Sequence, residues 1–257
     1  MFSEERRQEI LNMLEQSGRV LAKDLAEKFE MSIDSIRRDL SIMEEQGLLK
    51  RTHGGAIPIT NVRMMARPPA DRFGEGTPFQ NAIAKLAATY VNASQTIFIG
   101  GSSTHYVMLK YLPRDFPYTI VTNSVEAAYY LRNVTNVQTY LIGGNVKSSG
   151  NITDALAADF ARQFTIDLCF ATAGALSVNG LSTATPEVSI FHKVVYDNSR
   201  KRICLMGHQN FGTDMFSRMY PVQKMDLIIT DEDTDEEKIE AIRALKVEVI
   251  VAKTEDN

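Results

Sequence analysis

The sequence predicts an α/β protein in two unequal parts: a small, helical N-terminal domain carrying a hairpin, and a larger Rossmann-like C-terminal domain on a mostly parallel sheet. Three observations carry this reading. Apolar residues recur at helical spacing through the first 45 or so residues. Between Ile57 and Pro78 no apolar period survives, and Pro58, Pro68, Pro69, Gly74, Gly76 and Pro78 punctuate the chain. Beyond that stretch, short β-rich runs alternate with amphipathic helical segments, the pattern of right-handed βαβ units. The boundaries that follow are 1–57, a linker at 58–78, and 79–257. Arg63, Arg67 and Arg72 read as solvated linker charge.

In the first domain Ser3 is placed to cap a helix whose buried face is Ile10, Leu11 and Leu14, ending at Gly18. A second short helix, about Ala22 to Phe29, buries Leu25, Ala26 and Phe29. Glu30-Met31 turns into a third, capped by Ser32, with Ile36, Leu40 and Met43 as its apolar stripe. Ser35, Arg37, Arg38 and Ser41 then point outward, and Gly47 supplies the stop. LLKRTHGG follows, an apolar pair, two cations and a glycine turn, as in a small hairpin wing. A helix presenting arginines before a basic hairpin is the shape of a winged helix-turn-helix on DNA, with the helix-turn-helix at about residues 20–39.

Charge alone does not select that reading. Residues 1–56 hold nine Lys/Arg against eleven Asp/Glu, and three amphipathic helices suit any small bundle. Arrangement favours DNA, because Arg37 and Arg38 lie on the helix, and Lys50, Arg51 and His53 on the wing, that would meet phosphates. The candidate DNA-contacting residues are Ser32, Ser35, Arg37, Arg38, Lys50, Arg51 and His53. Asp34 suits a cytosine amino group or solvent.

In the second domain strands are expected at 95–100, 118–123, 137–143, 166–173, 202–207, 226–230 and 247–252, with helices at 82–91, 125–132, 155–164, 188–198 and 235–245. Ligands of such sheets sit beyond the carboxyl ends of the strands. Three polar loops lie there: Gly100-Gly101-Ser102-Ser103-Thr104, Thr122-Asn123-Ser124, and Gly143-Gly144-Asn145-Val146-Lys147. Glycines permit close approach, and amides and hydroxyls can donate to an anion. A pocket for a phosphorylated or polyhydroxylated small molecule and ordinary turn chemistry fit these loops equally well.

Composition excludes several classes. The net charge is −4, no apolar run approaches a membrane span, and the start MFSEERRQE is charged, so a cytoplasmic protein without membrane contact is expected. Cys169 and Cys204 fall in apolar strand-like runs and read as reduced, buried thiols. His53, His105, His192 and His208 are scattered without ligand spacing, so neither metal nor cofactor is expected.

Arg6, Ile10 and Leu14, then Ser32, Ile36-Arg37-Arg38-Asp39-Leu40, and His53-Gly54-Gly55-Ala56 resemble the DeoR family of bacterial transcription regulators, with Ser35 where the family usually has Thr. Thr122-Asn123-Ser124, Leu141-Ile142-Gly143-Gly144 and Gly180-Leu181-Ser182-Thr183 are similar to the DeoR-type sensor domain. That domain resembles ribose-5-phosphate isomerase and typically binds phosphorylated sugars. Several charged positions depart from the family: Gly100 stands for an Asp, Gly207 to Gly212 for Asp-x-x-Lys-Phe-Gly, Lys147 for an Arg and His192 for a Lys. The resemblance implies a repressor of a sugar or carbohydrate operon, with an operator duplex, a phosphosugar-like effector and a second copy of itself as partners. The effector residues would be Gly101, Ser102, Ser103, Thr104, Asn123, Lys147, Glu187 and Asn210.

Isomerase chemistry on that fold needs a carboxylate base and a cation for the enediolate. Gly100, Gly207 and Asn210 occupy the strand ends, and Glu187 has no cationic partner identifiable beside it, so catalysis is not expected. An isomerase-like enzyme with an appended DNA-binding module and a ligand-independent DNA-binding regulator are the alternatives.

Overall fold

A computed structural model of the chain describes residues 6–7, 9–11, 13–14, 19–45, 48–57 and 73–254. It divides into two compact units, Met1–Asn61 and Val62–Asn257. The expectations at Ser3, Gly18 and Gly47, and at linker residues 58–72, lie outside the described residues.

In the first unit a helix, α1, is seen at residues 6–7, 9–11 and 13–14. It is followed by β1 (Val20–Leu21), α2 (Ala22–Lys28), α3 (Ile33–Glu45), β2 (Lys50–Thr52) and β3 (Gly55–Ile57). Ile10, Leu14, Leu25, Ile36, Leu40, Met43 and Leu49 close one core, the apolar stripes the helical period requires. Ser32 caps α3, its Oγ accepting from the Ser35 amide at 3.2 Å. The wing has one strand more than the sequence suggests, because β1 joins the hairpin in the antiparallel order β1-β3-β2. Two residues are too few to show a period. Gly55 makes this possible: a Cβ there would lie 1.8 Å from the Val20 carbonyl oxygen.

Asp39 also departs from a simple polar-out pattern. It is buried on the same side of α3 as Ile36 and Met43, and it accepts from Arg6 Nε at 2.7 Å and Arg7 Nε at 3.0 Å.

The second unit holds a seven-stranded, wholly parallel sheet of β4 (Thr96–Ile99), β5 (Tyr118–Thr122), β6 (Val137–Leu141), β7 (Ile166–Ala171), β10 (Ser199–Leu205), β12 (Leu227–Asp231) and β13 (Val249–Ala252). All seven overlap the apolar runs. β4, β5, β7 and β12 are buried along nearly their whole length, as strands covered on both faces are. The edge strand β6 is instead largely exposed, and β10 begins three residues early, with Arg200 and Lys201 exposed. Their order is β13-β12-β10-β7-β4-β5-β6, so the chain runs outward from β4 to β6 and returns to β7 on the other side of β4. The crevice at that reversal is where a ligand is expected.

Helices α4 (Pro78–Ala88), α5 (Ser103–Met108), α6 (Val125–Leu131), α7 (Ala155–Ala161), α8 (Pro186–Asp197) and α9 (Glu236–Arg243) complete the unit. Two separate apolar clusters form its core. The first of these helices begins four residues before the expected Ala82, and Pro78 is its first residue rather than the last of the linker. Thr77 and Gln80 form a reciprocal capping box, and Pro at the first position costs no hydrogen bond.

The sequence reading misses a small antiparallel sheet, β11-β9-β8, made of β8 (Ala175–Ser177), β9 (Gly180–Thr183) and β11 (Ser217–Tyr220). Its strands have three or four residues and no alternation, because they are buried almost throughout. Cys169 and Cys204 are unpaired and buried, and burial pushes the Cys204 thiol up to about 12. Among the described residues no helix is long and apolar enough to cross a membrane, and no three His, Cys, Asp or Glu side chains gather as metal ligands.

Candidate nucleic-acid interface and ligand site

The N-terminal unit brings α3 and the wing together on one face. Arg37, Glu44, Arg51, Thr52 and His53 line a shallow groove between them. Arg37, Arg38, Lys50, Arg51 and His53 are exposed, whereas Ser35 and Ser41 are half-buried. Ser41, on that outer face, is already engaged. Its Oγ accepts from Arg51 Nη1 at 2.7 Å, and the Arg51 amide donates to Glu44 Oε1 at 2.8 Å. These bonds tie the wing to the helix and fix Arg51 within the cationic face. Arg37 Nη1 lies 3.4 Å from Asp34 Oδ1, an exposed pair worth at most ~1 kcal/mol and readily exchanged for a phosphate. Ser32 is occupied as the helix cap, with its hydroxyl 2.9 Å from Ser35 Oγ.

In the C-terminal unit the loops after β4, β5 and β6 meet the start of α8. Asn151 Nδ2 donates to the Gly101 carbonyl at 3.3 Å, and the Lys147 amide donates to the Asn151 carbonyl at 3.0 Å. Asn123 Nδ2 donates to the Ile152 carbonyl at 3.0 Å, which sets the amide's orientation. A Cβ at Gly101 would strike the Asn151 side chain, so any larger residue there displaces that amide. Lys147 Nζ sits 2.8 Å from Glu187 Oε1, and Thr153 Oγ1 donates to the same oxygen at 3.2 Å.

The expectation that Glu187 lacks a cationic partner is thus wrong. Lys147 supplies the charge from a loop 40 residues upstream, a contact that only the fold creates. The pair is partly exposed, so its direct worth is at most ~1 kcal/mol.

Other expected residues have structural tasks. Ser102 Oγ caps α5 by accepting from the His105 amide at 3.1 Å, and Ser103 Oγ accepts from Gln80 Nε2 at 3.0 Å. Each hydroxyl proton remains able to donate. Thr104 is half-buried within the first turn of α5. Asn210 ends a one-turn 3-10 helix, and its backbone bonds with Gly207 and Thr213 are local.

Sequence reasoning misses Asp231, fully buried at the carboxyl end of β12. It accepts from His208 Nδ1 at 2.7 Å and from the His208 amide at 2.9 Å. The available signals were two separate strand ends, one apolar run ending in Asp231 and another, 23 residues earlier, in Gly207-His208. The oxygen Oδ1 of Asn123, also fully buried, and that of Asn151 have no hydrogen-bond partner among the described residues. A buried acceptor left so costs about 1–3 kcal/mol, which a ligand hydroxyl recovers by donating to it.

His192 Nδ1 lies 2.9 Å from the Val188 carbonyl. Burial holds its imidazole below the ordinary value of 6.5, against the raising effect of that carbonyl, and Lys147 lowers it further. The ring is neutral, with Nδ1–H donating and Nε2 available as an acceptor. Its contribution to stability is complete above pH 6.5, where both states are neutral, and is lost as pH falls through the lowered folded value. The urea midpoint should therefore fall more for the native chain than for His192→Gln between about pH 7.5 and 5.5. Equal falls would show that His192 gains no such protection on folding.

The DeoR-like helix-turn-helix domain matches residues 6–62, and the DeoR C terminal sensor domain matches residues 79–232. The chain is 29% identical over 233 residues to the HTH-type transcriptional regulator GolR of Listeria innocua, covering 90% of this chain and 91% of that protein. It is 29% identical over 239 residues to the glycerol-3-phosphate regulon repressor of Escherichia coli, covering 90% and 92%. With the HTH-type transcriptional repressor GlcR of Bacillus subtilis identity is 24% over 257 residues, covering 100% and 99%. Among solved structures, ribose 5-phosphate isomerase A of Methanocaldococcus jannaschii aligns over 51% of this chain and 52% of that one, at 14% identity and a TM-score of 0.38.

Proposed function

We propose, on the premise that this chain belongs to the DeoR family of transcriptional regulators, that it represses an operon of sugar or carbohydrate metabolism and is released from DNA by a phosphosugar-like effector. The observation that carries the reading is the groove in which Arg37 of α3 stands with Arg51 and His53 of the wing, Arg38 being exposed on the next position of the helix. On this reading residues 1–57 dock in the major groove, with Ser32, Ser35, Arg37, Arg38, Lys50, Arg51 and His53 at the contact. Residues 79–257 bind the effector and hold copies together. Relatives named as repressors, one of a glycerol-3-phosphate regulon, support both the sign of regulation and the effector class.

The effector would lie against Gly101–Thr104, Asn123, Lys147, Glu187 and Asn210. Lys147 and the serine hydroxyls meet a phosphate, while Asn123 Oδ1 and Glu187 accept from sugar hydroxyls. Binding couples to DNA release if the effector favours one arrangement of the DNA-binding units over another. The test is a gel-shift assay on the chain's own promoter region, titrated with hexose and pentose phosphates. At least one should release the DNA, and Lys147→Ala should raise the required concentration about 10- to 100-fold, the loss of one charge-assisted bond. Release undiminished by Lys147→Ala places the effector elsewhere, and conversion of the sugar during the assay would favour the enzyme reading.

One winged helix offers little contact area, and linking two raises the effective concentration of the second. Light scattering on the full chain without DNA should therefore give at least a dimer at micromolar concentration. A strict monomer there would remove self-association from the proposal.

A further inference from the structure

The Asp39 carboxylate stands in the middle of the helix assigned to DNA, yet it faces away from solvent. Its side chain is 6% exposed, with Oδ2 held by Arg6 Nε at 2.7 Å and Oδ1 by Arg7 Nε at 3.0 Å. Arg6 and Arg7 are consecutive residues of α1, so the two carboxylate oxygens are gripped from two points of one neighbouring element. Around it, α3 buries Ile36, Leu40 and Met43, and the bonds from Arg51 to its Ser41 and Glu44 run to the wing rather than to α1.

Apolar burial is non-directional and tolerates a roll or slide of the helix. Charge-assisted hydrogen bonds do not, because they weaken steeply with distance and angle. Stability does not require this pair either, since well-packed apolar residues commonly replace a buried ion pair at no loss. What the pair adds is a fixed position.

We propose that Asp39, clamped by Arg6 and Arg7, is a positioning residue that sets the roll and axial register of α3, and so decides which base edges its arginines reach. This rests on the reading of α3 as the DNA-contacting helix. Helix side chains extend roughly 5–6 Å from the axis, so a roll of about 15° moves a side-chain tip by about 1.5 Å. That displacement takes a bidentate arginine–guanine pair out of hydrogen-bonding range. The apolar stripe loses little over the same motion. The clamp therefore separates two properties: the core decides whether α3 folds and binds DNA at all, and Asp39 decides how well it discriminates.

The test compares two duplexes, one selected from a random-sequence pool by the full-length native chain and one a shuffled version of it. Both affinities are measured well below the melting temperature for the native chain, Asp39→Asn, Arg7→Gln and Arg38→Ala. A change that only unfolds part of the population lowers both affinities by the same factor and leaves their ratio unmoved. Asp39→Asn should lower the ratio at least tenfold. Arg7→Gln, which keeps the Arg6–Asp39 bond and stays folded if Asp39→Asn does not, should lower it severalfold and yield a changed base preference when the selection is repeated with it. A native ratio in Arg7→Gln and in any folded Asp39→Asn, alongside a reduced ratio in Arg38→Ala, overturns the positioning role alone. If Arg38→Ala also keeps the native ratio, α3 is not the reading helix, and the inference falls with that assignment.

Discussion

Gly55→Ala should make DNA binding by the full chain fail at a markedly lower temperature while leaving the C-terminal unit folded. The new methyl carbon would fall 1.8 Å from the Val20 carbonyl oxygen and 2.8 Å from Leu21 Cα. Both are backbone atoms of β1, so no side-chain rotation relieves the clash. Relief requires opening the β1–β3 ladder, in which Val20 faces Ala56 and Leu21 faces Gly55, together with the 2.8 Å bond from the Ala22 amide to the Gly54 carbonyl. Overpacking of this kind costs about 3 kcal/mol or more. In a unit of some 60 residues that lowers the melting temperature by roughly 10–20 °C. Calorimetry should show an early transition displaced and a later one unmoved, and the gel shift should disappear near the displaced midpoint. A variant with both transitions in place and native DNA affinity would mean that β1 does not cross the hairpin here.

Arg38→Ala and Arg37→Ala should both weaken operator binding, in distinguishable ways. The two side chains leave α3 about 100° apart. Arg37 lines the groove shared with the wing, beside Arg51 and His53, and its present partner is the exposed Asp34. That places it for the phosphate backbone, so Arg37→Ala should weaken operator and random DNA alike and reduce the salt slope by about 1. Arg38 is exposed and is not among the residues lining that groove. On the proposed reading it meets a base edge, so its loss should cost about 1–3 kcal/mol of discrimination, roughly 5- to 150-fold, mainly on the operator. Salt-dependent binding titrations on the two duplexes separate these outcomes. If neither substitution weakens either affinity, DNA is bound by another surface.

The parts of this fold that were readable from sequence are those governed by local periodicity. Strands β4, β5, β7 and β12 announce themselves as apolar runs because they are buried along nearly their whole length, whereas β6, β10 and β13 are legible from shorter apolar stretches. The stripe Ile36, Leu40 and Met43 fixes the inner side of α3 in the same way. What escaped depends on contacts between distant residues. β1, β8, β9 and β11 have two to four residues each and become strands only through their partners. Asp39 lies among apolar neighbours on a helix whose exposed residues are also charged, so its burial follows from Arg6 and Arg7, more than 30 residues away. Lys147 and Glu187 are likewise joined only when the loop after β6 folds toward α8. The candidate ligand loops were legible as strand ends, but the division of labour inside them was not. Ser102 as a cap and Ser103 as the acceptor for Gln80 are tertiary assignments.

The strand order also dictates a timetable for synthesis. β4 occupies the centre of the large sheet, and its two neighbours come from very different distances along the chain. Ile97 pairs with Ile120 on one side and with Leu168 on the other. One edge of β4 therefore waits for some 70 further residues, roughly 4–14 s at a ribosomal rate of about 5–20 residues per second. During that interval the nascent chain presents an apolar, unpaired strand edge, the kind of surface on which neighbouring chains associate. The helix-and-wing unit faces no such delay, since its core, from Ile10 to Ala56, lies within the first 61 residues. A growing chain thus acquires its DNA-reading unit well before the sheet that would regulate it can close.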